Sequence, residues 1–226
     1  MAAGEIVGII AAAGTGERLG VGRPKAFVTC AGRPLVEWSV APVAAVCDRV
    51  VVALPAAAGE VCGALSAVEI VEGGRSRSES VAAAVRAAPD AEAYLVHDAA
   101  RPLVTRELVE RCVAEVAGGW DAAVAAAPVT DTVKEVAGDG AVLRTLERSS
   151  LWAVQTPQAF RGEALRRALD VGPDRLAAAT DDAALVEEAG GRVRVVRAPA
   201  ENVKVTSQVD LATAEALLAT RGETAC

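Results

Sequence analysis

The chain is poor in the residues that build nucleic-acid platforms. Phe, Tyr and Trp together make up 3% of the sequence and histidine occurs once, so the aromatic faces on which single-stranded bases stack are missing. A formal net charge of −7 argues equally against a surface for phosphate backbones. No apolar run approaches the ~18 residues of a membrane span. Glu5 precedes the apolar stretch Ile9-Ile10-Ala11-Ala12-Ala13, and no Lys or Arg appears before Arg18. That is not the pattern of a signal peptide, and a soluble cytoplasmic protein is expected, with no nucleic acid and no membrane among its partners. The cysteines Cys30, Cys47, Cys62, Cys112 and Cys226 are odd in number and contain no Cys-x-x-Cys. They form neither a disulfide framework nor a zinc site, which leaves buried thiols.

What the chain does have is core material and punctuation. Hydrophobic residues reach 52% of 226 positions, enough for a substantial core and, at this length, a single domain over residues 1–226. Ile6-Val7-Gly8-Ile9-Ile10 is an apolar run of strand length. It feeds Ala11-Ala12-Ala13-Gly14-Thr15-Gly16-Glu17-Arg18-Leu19-Gly20, with Lys25 after Pro24. A strand running into small residues lets backbone N–H groups converge on one point, a concavity that suits an anion. Between positions 6 and 36, Arg18, Arg23, Lys25 and Arg33 face Glu17 alone. A local cationic site on an acidic chain suggests a small anionic ligand. Leu19 stands where the dinucleotide fingerprint needs a third glycine or alanine, and no Gly-Lys-Ser or Gly-Lys-Thr occurs, which removes the P-loop. Nucleotide phosphates and a plain tight turn both remain open for this loop.

Further along, strand and helix signals alternate. Pro34 is placed to open a helix over 35–46, with Pro42 predicting a kink or early stop. The β-branched run 49–54 predicts a strand buried on both faces. A weaker helix is expected over 57–67 and a short strand over 68–71. Glu72-Gly73-Gly74-Arg75-Ser76-Arg77 is a second glycine loop, and Ser76 with Glu79 predicts a capping box opening a helix to about 88. Arg75 or Arg77 could meet a ligand there, or both could be surface arginines. A strand at 94–96 ends in His97-Asp98-Ala99-Ala100-Arg101-Pro102. Ligands of open parallel sheets sit beyond the carboxyl ends of strands, so Asp98 is placed for a hydrated magnesium ion or a ribose hydroxyl, or simply for a cap. His97 reads as a positioning residue before a base. A helix after Thr105, a strand over 122–129 and a strand over 192–197 continue the alternation. Between them 132–136 and 142–147 flank Gly138-Asp139-Gly140 as a β-hairpin. The alternation implies a mostly parallel sheet with helices on both faces. The hairpin breaks it and projects as an arm at about 131–150, whose apolar face a second copy would bury. Thr180-Asp181-Asp182 caps a helix to 190–191, and Asn202-Val203-Lys204-Val205-Thr206 leads to a last helix over 209–218.

Seven motifs in order carry a resemblance over nearly the whole chain. They are Ala12-Ala13-Gly14-x-Gly16-x-Arg18 with Lys25; Gly73-Gly74-x-x-Arg77-x-x-Ser80-Val81; His97-Asp98-Ala99-Ala100-Arg101-Pro102; Ala127-Pro128-Val129-x-Asp131-Thr132-Val133-Lys134; Thr156-Pro157-Gln158; Thr180-Asp181; and Asn202-Val203-Lys204-Val205-Thr206. The sequence resembles the 2-C-methyl-D-erythritol 4-phosphate cytidylyltransferases of the non-mevalonate isoprenoid pathway. The resemblance implies a Rossmann-like nucleotidyltransferase fold, CTP and a sugar-alcohol phosphate as substrates, Mg²⁺ as cofactor, and a homodimer with exchanged arms. It implies that Arg18 and Lys25 stabilise charge on the α-phosphate. Ala12, Ala13, Gly14, Gly16, Gly74 and Ser80 would hold CTP. Asp98 and Arg101 would lie near the ribose, metal and acceptor, Asp98 touching the metal indirectly. Thr132, Arg148 and Lys204 would hold the acceptor phosphate, the first two serving the neighbour's site.

Two positions depart from the pattern of the family: Arg75 stands where relatives often have an acidic residue, and Asp182 where they commonly have Glu. The chemistry asks for no histidine base. A phosphate monoester loses its second proton near pH 6, so the acceptor already is a nucleophilic dianion at neutral pH. The task is to bring two anions together and absorb developing charge. A ribitol 5-phosphate cytidylyltransferase shares nearly all these motifs and differs only in the acceptor pocket. A glycosyltransferase commonly carries Asp-x-Asp, and no two aspartates here stand at i and i+2. A non-catalytic nucleotide-binding protein would have no need of Arg18, Lys25 and Lys204 together.

Overall fold

The structure, a computed structural model, describes residues 4–14, 16, 19, 24–56, 65 and 68–224. The first apolar run forms β1 (Ile6–Ala11). A small hairpin, β2 (Thr29–Cys30) and β3 (Arg33–Pro34), follows the glycine loop; no expected element corresponds to it, and Ala31 at its tip takes φ 47°. Next come α1 (Leu35–Ala44), β4 (Arg49–Leu54), β5 (Glu69–Glu72) and α2 (Arg77–Ala87). Pro34 precedes α1 as its N-cap, and the helix ends two residues past Pro42. The helix expected over 57–67 falls mainly outside the described residues. The predicted capping box of α2 is present in both directions: Glu79 N–H donates to Ser76 Oγ at 3.2 Å and Ser76 N–H to Glu79 Oε2 at 3.0 Å.

The second half contains β6 (Ala93–Asp98), α3 (Arg106–Ala117), β7 (Ala122–Pro128), β8 (Lys134–Val136), β9 (Val142–Thr145), β10 (Trp152–Arg161), α4 (Gly162–Leu169), α5 (Pro173–Ala178), α6 (Asp182–Glu188), β11 (Val193–Arg197) and α7 (Gln208–Thr224). Among the described residues seven strands share one sheet in the order β11-β7-β10-β6-β1-β4-β5. Every pairing is parallel except those of β10, which runs antiparallel to both neighbours. The hairpin explains it. The chain leaves the sheet after β7, turns through β8 and β9, and returns beside the strand it left, and a return without a crossover must run antiparallel. Helices α4 and α5 lie where no helix was expected. In α4, Ala164, Leu165, Ala168 and Leu169 are buried, at the spacing of one helical face.

Alternation along the strands divides the core into two layers. Ile10, Val50, Val52 and Leu95 face α1 and α3, where Val36, Val43, Leu108, Val109 and Cys112 pack. Val7, Ile9, Tyr94, Val96 and Phe160 face α2, α4, α5 and α6 through Val81, Leu165, Leu176 and Leu185. A third, smaller cluster joins the chain's two ends: Leu19, Val28, Cys30 and Leu35 pack with Val205, Ala214 and Leu218. Gln208 Nε2 also donates to Leu19 C=O at 2.9 Å. Cys30, Cys47 and Cys112 are free and buried, as expected; burial pushes their thiols up to about 11, 12 and 12. Cys62 and Cys226 lie outside the described residues.

The chain passes from β1 to β4 and β5 on one side, then crosses back to β6 on the other. The switch in direction therefore falls between β1 and β6, where an open α/β sheet leaves a crevice. In register, Ala11 lies beside Asp98 on one side and Ala53 on the other. Phe160 is fully buried opposite Ala122, so the small residues of β7 make room for its ring. Phe160→Ala is expected to lower stability by about 3–5 kcal/mol, read as a lower urea midpoint with an unchanged m-value.

Candidate active site

Two loops and one strand end meet at the β1/β6 crevice. Gly16 takes φ +77°, and a Cβ there would lie 3.0 Å from Lys25 Cβ; only glycine lets the loop after β1 turn back so tightly. Lys25 N–H donates to Gly14 C=O at 3.3 Å. The second loop lies against the first through Gly73, where an added Cβ would stand 2.6 Å from Ala13 Cβ and 2.9 Å from Ser80 Oγ. Ser80 Oγ accepts the Gly74 N–H at 3.1 Å and donates to Ser76 C=O at 2.9 Å. Its hydroxyl thus fixes the loop at Gly74, which was expected with Ser80 to hold CTP.

Between the loops opens a cavity of about 320 Å³. Ala12, Ala13, Gly14, Gly16 and Lys25 line one side, and Gly74, Ser80, Asp98 and Lys204 the other. A second cavity, of about 400 Å³, lies under β10 and α6 and contains Arg101, Gln155, Thr156, Thr180 and Asp181. Arg77, Asp98 and Lys204 belong to both. Arg18 lies outside the described residues. Thr132 and Arg148 line neither cavity. They sit on the arm, where Arg148 Nη1 donates to Thr130 C=O at 2.6 Å.

The shared wall is an ion cluster. Arg77 Nε donates to Asp98 Oδ1 at 2.9 Å, and Lys204 Nζ to Asp98 Oδ2 at 2.7 Å. Arg77 Nη1 also pairs with Asp182, whose side chain is fully buried at the start of α6. Burial alone would raise the Asp98 carboxyl, but the adjacent Arg77 and Lys204 outweigh it and hold the group far below the usual carboxylate range. Burial likewise opposes charge on Arg77, and Asp182 and Asp98 more than offset it. Arg101 is held by Asn202 C=O at 2.8 Å, and burial lowers its guanidinium. Nothing in the sequence joins Arg77 and Asp182 into one unit. They are 105 positions apart, and no local spacing connects them. The nearest signals are the glycine-loop arginines and the departure from Glu at position 182.

β10 supplies the rest through an irregularity between Val154 and Gln158, where the strand leaves its ladder and re-aims its side chains. Thr156 Oγ1 accepts the Asp98 N–H at 3.0 Å and stands 3.1 Å from His97 Nδ1. His97 Nε2 lies 3.2 Å from Arg101 C=O. A carbonyl only accepts, so Nε2 carries the proton and Nδ1 accepts from the Thr156 hydroxyl. His97 is fully buried and holds Thr156 and Arg101 in place, the positioning role expected for it. Asn202 Nδ2 ties the same turn down through Gln155 Oε1 at 2.8 Å and Thr156 C=O at 2.9 Å.

Among the described residues magnesium finds no cage of protein ligands: no group of three or more His, Cys, Asp or Glu there could hold a metal ion. Both Asp98 oxygens already face cations, so the residues present do not fit a magnesium ion held by the protein alone.

A crevice at the switch point of a parallel sheet, floored by glycine loops and divided by the half-buried cations Arg77 and Lys204, defines an α/β protein of the class whose site suits anionic ligands. The family model described as IspD: 2-C-methyl-D-erythritol 4-phosphate cytidylyltransferase matches residues 6–220, and the chain belongs to that family. A protein of that name from Nocardia farcinica is 44% identical over 221 residues, covering 95% of this chain and 94% of its own. One from Bacillus licheniformis is 42% identical over 219 residues, covering 93% and 94%. The crystal structure of the enzyme of that name from Thermus thermophilus superposes with a TM-score of 0.81 at 39% identity, covering 95% of this chain and 99% of that one.

His97 generates a pH prediction. Burial pushes its imidazole down to about 4, against about 6.5 in an unfolded chain. Between those values the unfolded state binds the extra proton, so stability is full above pH 6.5 and falls as pH drops toward 4. The expected loss between pH 7 and pH 5 is about 2 kcal/mol in urea unfolding. His97→Gln should remove most of that slope; an unchanged slope would assign it to other groups.

Proposed function

We propose that this protein transfers the cytidylyl group of CTP to 2-C-methyl-D-erythritol 4-phosphate. The products are 4-(cytidine 5'-diphospho)-2-C-methyl-D-erythritol and pyrophosphate, on the non-mevalonate route to isoprenoids. The observation that carries this reading is the pair of cavities meeting at Arg77, Asp98 and Lys204. A glycine-lined chamber suits a nucleotide triphosphate, a polar chamber suits a polyol phosphate, and their common wall brings the cations Arg77 and Lys204 to both. Family membership supplies the identity of both ligands.

In this reading an oxygen of the acceptor phosphate, a dianion at neutral pH, attacks the α-phosphorus of CTP. The new P–O bond forms as the bond to the β-phosphate oxygen breaks, and pyrophosphate takes the electron pair away. Lys25, Arg18 and the glycine loop after β1 absorb charge at the α-phosphate. Lys204 and Arg101 receive the acceptor, and none of these residues has to move a proton. Magnesium belongs to the proposal as an ion carried on the triphosphate, a form that needs few protein ligands. The cytoplasm is the proposed location; among the described residues no helix is long and apolar enough to cross a membrane.

A homodimer with exchanged arms completes the proposal. Val136, Val142 and Leu143 on the hairpin are 55%, 60% and 61% exposed, more apolar surface than a free arm favours. Thr132 and Arg148 sit beside it, away from both cavities of their own chain, as residues serving a neighbour would.

Pyrophosphate release with CTP should occur with 2-C-methyl-D-erythritol 4-phosphate and not with ribitol 5-phosphate; the reverse would overturn the acceptor. Lys25→Ala should cut kcat by ~100-fold or more, and a near-normal kcat would remove Lys25 from the charge-stabilising set. Mixing Lys25→Ala with Arg148→Ala subunits should restore activity as they exchange. No recovery despite confirmed exchange would mean that each subunit builds its own site.

A further inference from the structure

Asp98 is gripped unequally by its two cations. Lys204 Nζ holds Oδ2, and its side chain is 39% exposed. It ends in a single mobile ammonium that lines both cavities. Arg77 holds Oδ1 through Nε and is pinned at its other end, where Nη1 pairs with the fully buried Asp182. The third nitrogen, Nη2, is buried and has no hydrogen-bond partner. In a guanidinium, Nε and Nη2 form one edge of the fork, the edge that meets a carboxylate with two parallel bonds. Arg77 thus presents that edge to Asp98 with only Nε engaged, because Oδ2 is turned to Lys204. An unpaired buried donor is costly; Asp98 Oδ2, the oxygen that would complete this edge, is taken by Lys204, while Asp182 Oδ1 on the braced side is likewise buried without a partner.

We infer that Arg77 is a positioning residue for a cation hand-off: when the acceptor phosphate arrives, Lys204 leaves Asp98 for the phosphate, and Arg77 Nη2 takes over the vacated Oδ2. Asp98 keeps two charge-assisted hydrogen bonds, now both from Arg77, whose single positive charge it shares with Asp182, and Lys204 is released to the incoming dianion. No covalent bond is made or broken; one charge-assisted hydrogen bond is exchanged for another on each side. Asp182 anchors the fixed end of Arg77, so the guanidinium cannot follow Lys204 into the cavity. The inference rests on the proposed function only in taking the acceptor to be a phosphate.

The hand-off predicts a selective defect. Arg77→Lys keeps the charge but cannot offer a two-nitrogen edge to Asp98 while reaching Asp182. It should raise KM for 2-C-methyl-D-erythritol 4-phosphate about tenfold, one strong hydrogen bond's worth, with KM for CTP within about threefold. In a Lys204→Met background the same substitution should change the acceptor KM less than about twofold, because no ammonium remains to be released. Equal factors in both backgrounds, or CTP and acceptor KM rising together, would overturn the hand-off and leave Arg77 a structural tie. A crystal structure of the wild type with inorganic phosphate reads the exchange directly and needs no variant to fold. Lys204 Nζ should contact phosphate, and Arg77 Nη2 should lie at about 2.7–2.9 Å from Asp98 Oδ2. Lys204 still bonded to Asp98 beside a bound phosphate would overturn the inference. Absence of wild-type turnover on 2-C-methyl-D-erythritol 4-phosphate would count against the proposed function alone, since the phosphate complex decides the hand-off independently.

Discussion

A carboxylate out of water must have its charge answered, and at Asp98 the answer organises the site. The residue ends β6 at the switch point of the sheet, with a side chain 9% exposed. An isolated carboxylate there would neutralise itself by taking up a proton. Two cations of different character prevent that. Arg77 comes from the start of α2 and is braced from behind by α6 through Asp182; Lys204 comes from the segment before α7. The planar fork of an arginine suits a fixed brace, and the flexible stem of a lysine suits a contact that can change. Asp98 therefore draws four separate parts of the chain to one point. The boundary between the cavities lies there because the charges do.

The neutral network behind Asp98 does the complementary work. His97 and Thr156 give up their hydrogen-bonding capacity to backbone groups and to each other, so neither is available as a proton carrier. That agrees with chemistry in which the nucleophile arrives already deprotonated. The one residue in the sequence suited to acid–base work near neutrality is spent on holding Thr156 and Arg101 still.

The parallel part of the fold is legible in the sequence because each strand and helix carries its own period and cap. The run 49–54 is the strand Arg49–Leu54 without adjustment, and the Ser76–Glu79 box opens α2 where it should. β10 is not legible as an antiparallel strand. Its direction is set by the arm that precedes it, a tertiary fact that no pattern within residues 152–161 encodes. Helix α4 opens without a side-chain cap, so the signal that marks α2 and α6 is missing. Glycine loops and strand ends announce the nucleotide side of the site, since their local conformations need particular residues. The Arg77–Asp182 pair does not announce itself, because an ion pair between distant segments leaves no spacing behind. Lys204 is recognisable through its motif, but its bond to Asp98 depends on how α7 is seated.

The small cluster that seats Leu19, Val28 and Cys30 on α7 has a consequence for the order in which the molecule can become complete. The loop after β1 leaves the ribosome long before α7 does, yet part of its apolar floor is Ala214 and Leu218. Domains generally fold as units during synthesis, and here an early ligand-holding loop lacks its support until α7 arrives. A nascent chain can close most of its sheet and still hold the first loop on an unfinished foundation. A chain halted short of that helix carries the motif without the apolar residues that pack beneath Leu19, Val28 and Cys30.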